Sequence, residues 1–142
     1  MIQKFKTSFF AIITVFAVII LAMPPLAYAD GESISGTCGE NISWELNSDG
    51  VLTLTGKGAM YNYAYRDYAG EIAPWNKMQQ TSNITEVVIG EGITTVGAFA
   101  FNNCSQIKKV TLPETMERIE NCSFSYCSNM KSINIPNNVN YI

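Results

Sequence analysis

Four cysteines are the residues of this chain best suited to covalent chemistry: Cys38, Cys104, Cys122 and Cys127. A catalytic thiolate needs a neighbouring base, and a zinc site needs a full set of nitrogen and sulfur ligands. Histidine, which most often fills both roles, is absent. The interval between Cys122 and Cys127 also fits zinc spacing poorly. We therefore expect no catalytic cysteine, no metal and no cofactor.

Paired carboxylates would indicate glycoside hydrolysis. When the repeating part of the chain is aligned with itself, Glu91 falls opposite Glu114, but Glu86 falls opposite Lys109. This arrangement predicts a solvated face with an ion pair between Glu86 and Lys109, and no enzyme. The net charge is −3 and charged residues are only 15% of the sequence. No basic patch is present to neutralise phosphates, so nucleic acid is excluded as a partner.

Two groups of side chains could recognise a ligand. One is a small basic strip on an otherwise acidic chain, and the other is a run of tyrosines, whose rings offer apolar area with a polar tip. The strip could equally serve the solubility of a strand edge, and the tyrosines could cap the open end of the structure that follows. The candidate ligand-binding residues are Lys108, Lys109, Lys131, Tyr61, Tyr63, Tyr65 and Tyr68.

The first 29 residues are typical of a signal peptide. Lys4 and Lys6 precede an apolar run over residues 9–23, and Ala27–Ala29 supplies a small-x-small cleavage pattern. As a helix, that run would span about 23 Å, short of the ~30 Å hydrocarbon core of a bilayer. We expect cleavage after Ala29 and an exported chain without a membrane span; an uncleaved anchor is the alternative.

Residues 81–142 repeat with a period of 23 residues. The units read "ITEVVIGEGITTVGAFAFNNCSQ", "IKKVTLPETMERIENCSFSYCSN" and "MKSINIPNNVNYI". Their apolar columns do not suit one amphipathic helix or strand, but they suit a coil that turns corners and stacks on its neighbour. The pattern predicts two full repeats and a partial third. It places one short strand in each, at Val87-Val88-Ile89, Val110-Thr111-Leu112 and Ile133-Asn134-Ile135.

Residues 30–80 lack this period. Ile42, Trp44 and Leu46 alternate with polar residues, "NSDG" is a turn signal, and Leu52 and Leu54 alternate again. These features predict a β-hairpin, followed by an aromatic segment, which together cap the solenoid.

Cys104 and Cys127 occupy one column of adjacent repeats. Their Cα separation would suit a disulfide, but parallel side chains oppose its dihedral angle, so we favour buried thiols. The pairing of Cys38 and Cys122 stays open. The chain ends on Ile142, an apolar core column, so we expect either a longer protein or a partner that covers this end.

The columns resemble the BspA-like leucine-rich-repeat family of bacterial surface and secreted proteins. The units "IKKVTLPETMERI…SFSYC" and "ITEVVIGEGITTVGAFAFNNC" carry the resemblance, and "SGTCGENISWELNSDGVLTLTGKGAMYNY" extends it upstream. The sequence departs from the family where Glu120 replaces a usual glycine, so the second repeat is expected to turn differently there. The resemblance implies a mainly β, short leucine-rich-repeat solenoid with an N-terminal β-hairpin cap.

The resemblance also implies recognition rather than catalysis. The expected function is that of an exported, non-catalytic interaction or adhesion protein, secreted or at the cell surface. Its partners would be host extracellular or cell-surface proteins or glycans. Two alternatives stay open: an N-terminal targeting module of a larger secreted enzyme, and a structural spacer.

Overall fold

A computed structural model describes residues 33–66 and 69–142. The signal peptide predicted over residues 1–29 lies outside the described residues. The elements, in chain order, are β1 (Ile34–Gly39), β2 (Ile42–Leu46), β3 (Val51–Gly56), β4 (Gly58–Ala59), α1 (Pro74–Lys77), β5 (Glu86–Ile89), β6 (Ile93–Val96), β7 (Lys109–Thr111) and β8 (Arg118–Ile119).

The predicted hairpin is confirmed. Strands β2 and β3 pair antiparallel, with Trp44 opposite Leu54, and alternate residues of both strands are buried. The side-chain oxygen of Asn47 accepts hydrogen bonds from the backbone N–H groups of Asp49 and Val51, which closes the turn. Strand β1 was not predicted; it pairs with β2 and places Gly36 against the Trp44 ring.

The hairpin and the repeats form one sheet, with strands in the order β1-β2-β3-β5-β7. Strand β3 pairs parallel with β5, and β5 pairs parallel with β7, so that Leu52, Val87 and Val110 lie side by side. The predicted neighbours Val87 and Val110 are therefore confirmed. Because β3 supplies a parallel neighbour to β5, the segment predicted as a cap also provides the first turn of the stack.

A second sheet, in the order β4-β6-β8, forms another side of each turn. Val96 pairs with Ile119, and Arg118 makes an isolated parallel bridge to Tyr141. Each of these pairs joins residues that are equivalent in successive repeats.

The predicted third strand of the first sheet is not formed. Residues 131–136 have no strand, although the equivalent residues of the two preceding repeats form β5 and β7. Val87 and Val110 are buried, but Leu112 and Ile133 are only partly buried, so less apolar contact holds this segment against β7. The outer edge of β7 therefore borders a groove.

The repeat columns form the core. Aromatic rings continue it along the stack: Phe101 and Phe124 stack on each other with centroids 5.2 Å apart. Trp44 meets the edge of Trp75 at 5.8 Å. The fully buried aliphatic side chains of the repeats are Ile84, Val87, Ile93, Val96, Ile107 and Met116.

The prediction that Glu120 changes the corner of the second repeat is wrong. Neither Gly97 nor Glu120 has a positive φ, and the next corner residues, Phe99 and Cys122, have nearly equal φ values of 53° and 55°. Gly97 is required for space rather than for φ, because a Cβ there would overlap the backbone oxygen of Tyr61. The two corners therefore turn in the same way.

Across residues 33–66 and 69–142, none of the helices has the length and apolar character needed to cross a membrane.

Candidate functional site

The basic strip lies on and beside β7. The Nζ atom of Lys109 lies 2.6 Å from Oε1 of Glu86 on the neighbouring strand, which confirms the predicted ion pair. Both groups are solvent-accessible, so the pair contributes only about 0.2–1 kcal/mol. Lys108 and Lys131 are exposed and make no ion pair within the described residues. Two of the three lysines thus remain available to a partner.

A groove of about 630 Å³ runs along the outer edge of β7. It separates β7 from residues 132–137, where the third strand was predicted. Its walls combine lysine ammonium groups with hydroxyl and amide side chains and one carboxylate. The residues that give it this character are Lys108, Lys109, Thr111, Glu114, Ser132 and Asn134. We call this cavity the strand-edge groove. Lys131 does not line it but directly precedes Ser132, which does.

The structure separates the tyrosines that the sequence placed together. Tyr61 and Tyr65 are 51% and 50% exposed, whereas Tyr63 is only 7% exposed and its hydroxyl donates to the Cys38 carbonyl oxygen at 3.4 Å. Burial raises the pKa of Tyr63. Tyr63 is therefore a core residue and cannot contribute to a binding surface. Tyr68 lies outside the described residues.

Sequence reasoning missed a second aromatic surface. Tyr65 lines two cavities that Tyr126 and Asn102 also line. Tyr126 is 69% exposed. It stands at a position where the preceding repeat has Asn103, so the alignment of repeats could have marked it as an unusual exposed aromatic residue. The two residues are far apart in sequence, and the stacking of turns brings them to one surface.

Three of the four thiols are placed for packing rather than for nucleophilic chemistry. Cys38, Cys104 and Cys127 are buried, and Cys122 is exposed; all four are free. Burial raises the pKa of Cys38 to about 12 and that of Cys127 to about 11, and the thiol of Cys127 donates to the Phe101 carbonyl oxygen at 3.3 Å. The three buried thiols are thus protonated at neutral pH and are poor nucleophiles. Within the described part of the chain, His, Cys, Asp and Glu side chains form no cluster of three or more suited to a metal.

The family model described as "BspA type Leucine rich repeat region (6 copies)" matches residues 76–142. The crystal structure of a leucine-rich repeat protein from Eubacterium ventriosum is similar to this chain, with a TM-score of 0.67 and 32% sequence identity over 78% of the chain. The repeat region belongs to the BspA-type leucine-rich repeat family. This membership confirms the resemblance drawn from the repeat columns.

A leucine-rich repeat protein from T. pallidum also matches, with a TM-score of 0.43 and 19% identity over 72% of this chain. No curated protein sequence matches the chain. The chain spans 28% of the Eubacterium ventriosum protein and 51% of the T. pallidum protein.

A BspA-type leucine-rich repeat architecture indicates a scaffold for protein–protein interaction. Stacked turns place equivalent side chains in rows, and such rows build extended binding surfaces. Among the described residues, two surfaces built by neighbouring turns are the strand-edge groove and the surface that carries Tyr65 and Tyr126.

Proposed function

We propose that this chain is an exported, non-catalytic binding protein that recognises an extended acidic segment of a partner protein in the strand-edge groove. The observation that carries the proposal is the open edge of β7. One side of β7 is paired with β5, and the other side borders a groove instead of a third strand. Exposed strand edges offer backbone N–H and C=O groups to an added strand.

The charges beside this edge support an acidic partner. Lys108 and Lys131 stand one repeat apart and are unpaired within the described residues, and Lys108 lines the groove itself. Glu114 also lines the groove, so a partner's carboxylates would be directed toward the lysine end. Charge complementarity of this kind sets register and speeds association.

Export is supported by the pattern of the first 29 residues, and it would place the 23-residue repeats outside the cytoplasm, secreted or at the cell surface. The partners would then be host extracellular proteins or cell-surface proteins and glycans, and the role would be adhesion. Two other roles remain compatible with the fold: a targeting module of a larger secreted enzyme, and a structural spacer.

The test begins with expression of the full-length chain in a bacterium with a secretion pathway. The intact mass of the exported product should correspond to a chain that starts at Asp30. That product is then applied to an array of extracellular-matrix and cell-surface proteins, and each hit is measured by surface plasmon resonance.

The Lys108→Glu/Lys131→Glu double variant should weaken binding by about tenfold or more, and the affinity for the partner should fall with added salt. Lys57→Glu is the matched control, because Lys57 is exposed and does not line the groove. Equal loss in both variants would rule out the strand-edge groove. A folded product that binds no protein on the array would favour the structural spacer.

A further inference from the structure

A second groove lies on the side of the stack where the turn corners follow one another. Two cavities of about 930 Å³ and 540 Å³ share three lining residues, Tyr65, Asn102 and Tyr126. Both volumes fall in the ~300–1,000 Å³ range of small-molecule sites. We call this pair of cavities the tyrosine groove. The three shared residues come from three places in the chain: the segment before α1, the corner of the first repeat and the corner of the second.

Aromatic faces are the main apolar surface of the tyrosine groove. Tyr65 packs against Phe99 with ring centroids 6.1 Å apart, which fixes the Tyr65 ring while half of its surface stays exposed. Tyr126 lines the same cavities and is 69% exposed. Both rings are therefore accessible to a ligand over part of their surface, and the guanidinium of Arg66 covers part of the Tyr65 ring.

Asn76 supplies an unused hydrogen-bond acceptor in the larger cavity. Its side-chain oxygen Oδ1 is buried and has no hydrogen-bond partner among the described residues. A buried acceptor without a partner costs about 1–3 kcal/mol. Because Asn76 lines the larger cavity, a ligand in the groove could satisfy this oxygen, and Asn102, which lines both cavities, adds a second amide. Gln79, Thr81 and Asn103 add further amide and hydroxyl groups along the wall.

We propose that the tyrosine groove binds a neutral carbohydrate. The C–H face of a sugar ring carries weak positive charge and stacks on the negative face of an aromatic ring. Side-chain amides both donate and accept, which suits the hydroxyl groups of a sugar. Arg66 is the one charged residue among the described lining residues, and its guanidinium lies over the Tyr65 ring, 5.2 Å from the centroid. The described lining thus offers a cationic ligand no carboxylate, and its single positive charge lies against an aromatic ring.

This site is independent of the proposed protein-binding function. The two grooves share no lining residue. The chain would therefore hold a peptide segment at the edge of β7 and a glycan at the corners, and either site could fail alone.

The experiment titrates the exported protein with cellohexaose, chitohexaose and mannohexaose, using calorimetry and saturation-transfer NMR. At least one neutral oligosaccharide should bind, and Tyr65→Ala and Tyr126→Ala should each weaken that binding by about tenfold. Tyr61→Ala is the matched control, since Tyr61 is as exposed as Tyr65 but does not line the groove. Circular dichroism would verify that each variant is folded.

The Lys108→Glu/Lys131→Glu variant should bind the oligosaccharide as tightly as the unmodified protein, which separates this proposal from the previous one. The carbohydrate assignment is overturned if no oligosaccharide binds up to about 10 mM, the range of very weak complexes. It is also overturned if Tyr126→Ala binds normally, or if binding falls equally in the Tyr61→Ala control.

Discussion

The rings of Trp75 and Phe101 are stacked, with centroids 5.2 Å apart and an interplanar angle of 6°. Phe101 stacks in turn on Phe124, at 5.2 Å and 12°, so three rings continue one column along the molecule. The indole N–H of Trp75 also donates to the Ala100 carbonyl oxygen at 2.7 Å. The aromatic segment before the repeats is therefore a turn of the stack, with Trp75 in the place that phenylalanine holds later.

Truncation of this column should be severely destabilising. Trp75→Ala removes a buried ring that contacts Phe101 and Trp44, and should lower the free energy of unfolding by about 3–5 kcal/mol. Trp75→Phe keeps the stack but loses the hydrogen bond to Ala100, and should cost less. Urea denaturation followed by circular dichroism measures both. Tyr61→Ala is the control, because Tyr61 is exposed, and it should change the free energy of unfolding by less than about 0.5 kcal/mol. Similar losses of stability in all three variants would contradict the role of the stack.

The repeats could be predicted from the sequence because each core column keeps its residue type and its interval. Glu86 and Lys109, 23 residues apart, were placed opposite each other by alignment alone and do pair. Trp75 could not be placed in this way, since it is a different residue type and lies outside the repeating register. Strand β1 was missed for a similar reason: its glycines carry no strand signal, and Gly36 is explained only by the Trp44 ring beside it.

The candidate sites were less predictable than the fold. Tyr61, Tyr63 and Tyr65 look alike in sequence, but alternation turns Tyr63 inward, where its hydroxyl reaches Cys38. Tyr126 belongs to a different repeat and joins Tyr65 only after the turns have stacked. A surface built across turns depends on which side each corner faces, and apolar columns carry no information about that.

Alanine should be tolerated at position 120 but not at position 97, the equivalent corner of the preceding repeat. Gly97→Ala places a Cβ against the backbone oxygen of Tyr61, which cannot move without shifting the preceding turn. We expect a loss of about 1–3 kcal/mol. Glu120→Ala, at the matching position of the next repeat, removes the partly exposed ion pair between Arg118 and Glu120 and should cost less than about 1 kcal/mol. Thermal melts of both variants decide the point, and equal melting temperatures would show that Gly97 is not needed for space.

Replacement of Tyr126 by asparagine should stabilise the protein. Tyr126 has a φ of 61°, a left-handed conformation that disfavours bulky side chains, and Asn103 adopts a φ of 63° at the equivalent corner. We expect Tyr126→Asn to gain about 0.5–1 kcal/mol. Tyr126→Ala is the control, because it removes the same ring without the side chain that tolerates this conformation. An alanine variant as stable as the asparagine variant would mean that the corner carries no strain.

The buried thiols should make the protein lose stability at alkaline pH. A free thiol in an unfolded chain titrates near pH ~8.5, whereas burial raises the pKa of Cys127 to about 11 and that of Cys38 to about 12 in the folded protein. Ionisation is therefore easier in the unfolded chain. The neutral thiols contribute fully to the free energy of unfolding below pH ~8.5, and this contribution is lost as the pH rises through about 11 to 12. Burial raises the pKa of Cys104 as well, and the nearby Cys127 adds to the effect.

Urea midpoints measured in steps between about pH 7 and pH 11 would show the decline. In a Cys104→Ala/Cys127→Ala variant, stability at pH 7 should be lower because two buried sulfurs are lost, but the fall between pH 8.5 and 11 should be shallower. Lysine and tyrosine groups titrate in both proteins, so the difference between the two curves isolates the thiols. If stability falls in parallel in the two proteins, ionisation of Cys104 and Cys127 does not cause the loss of stability at alkaline pH.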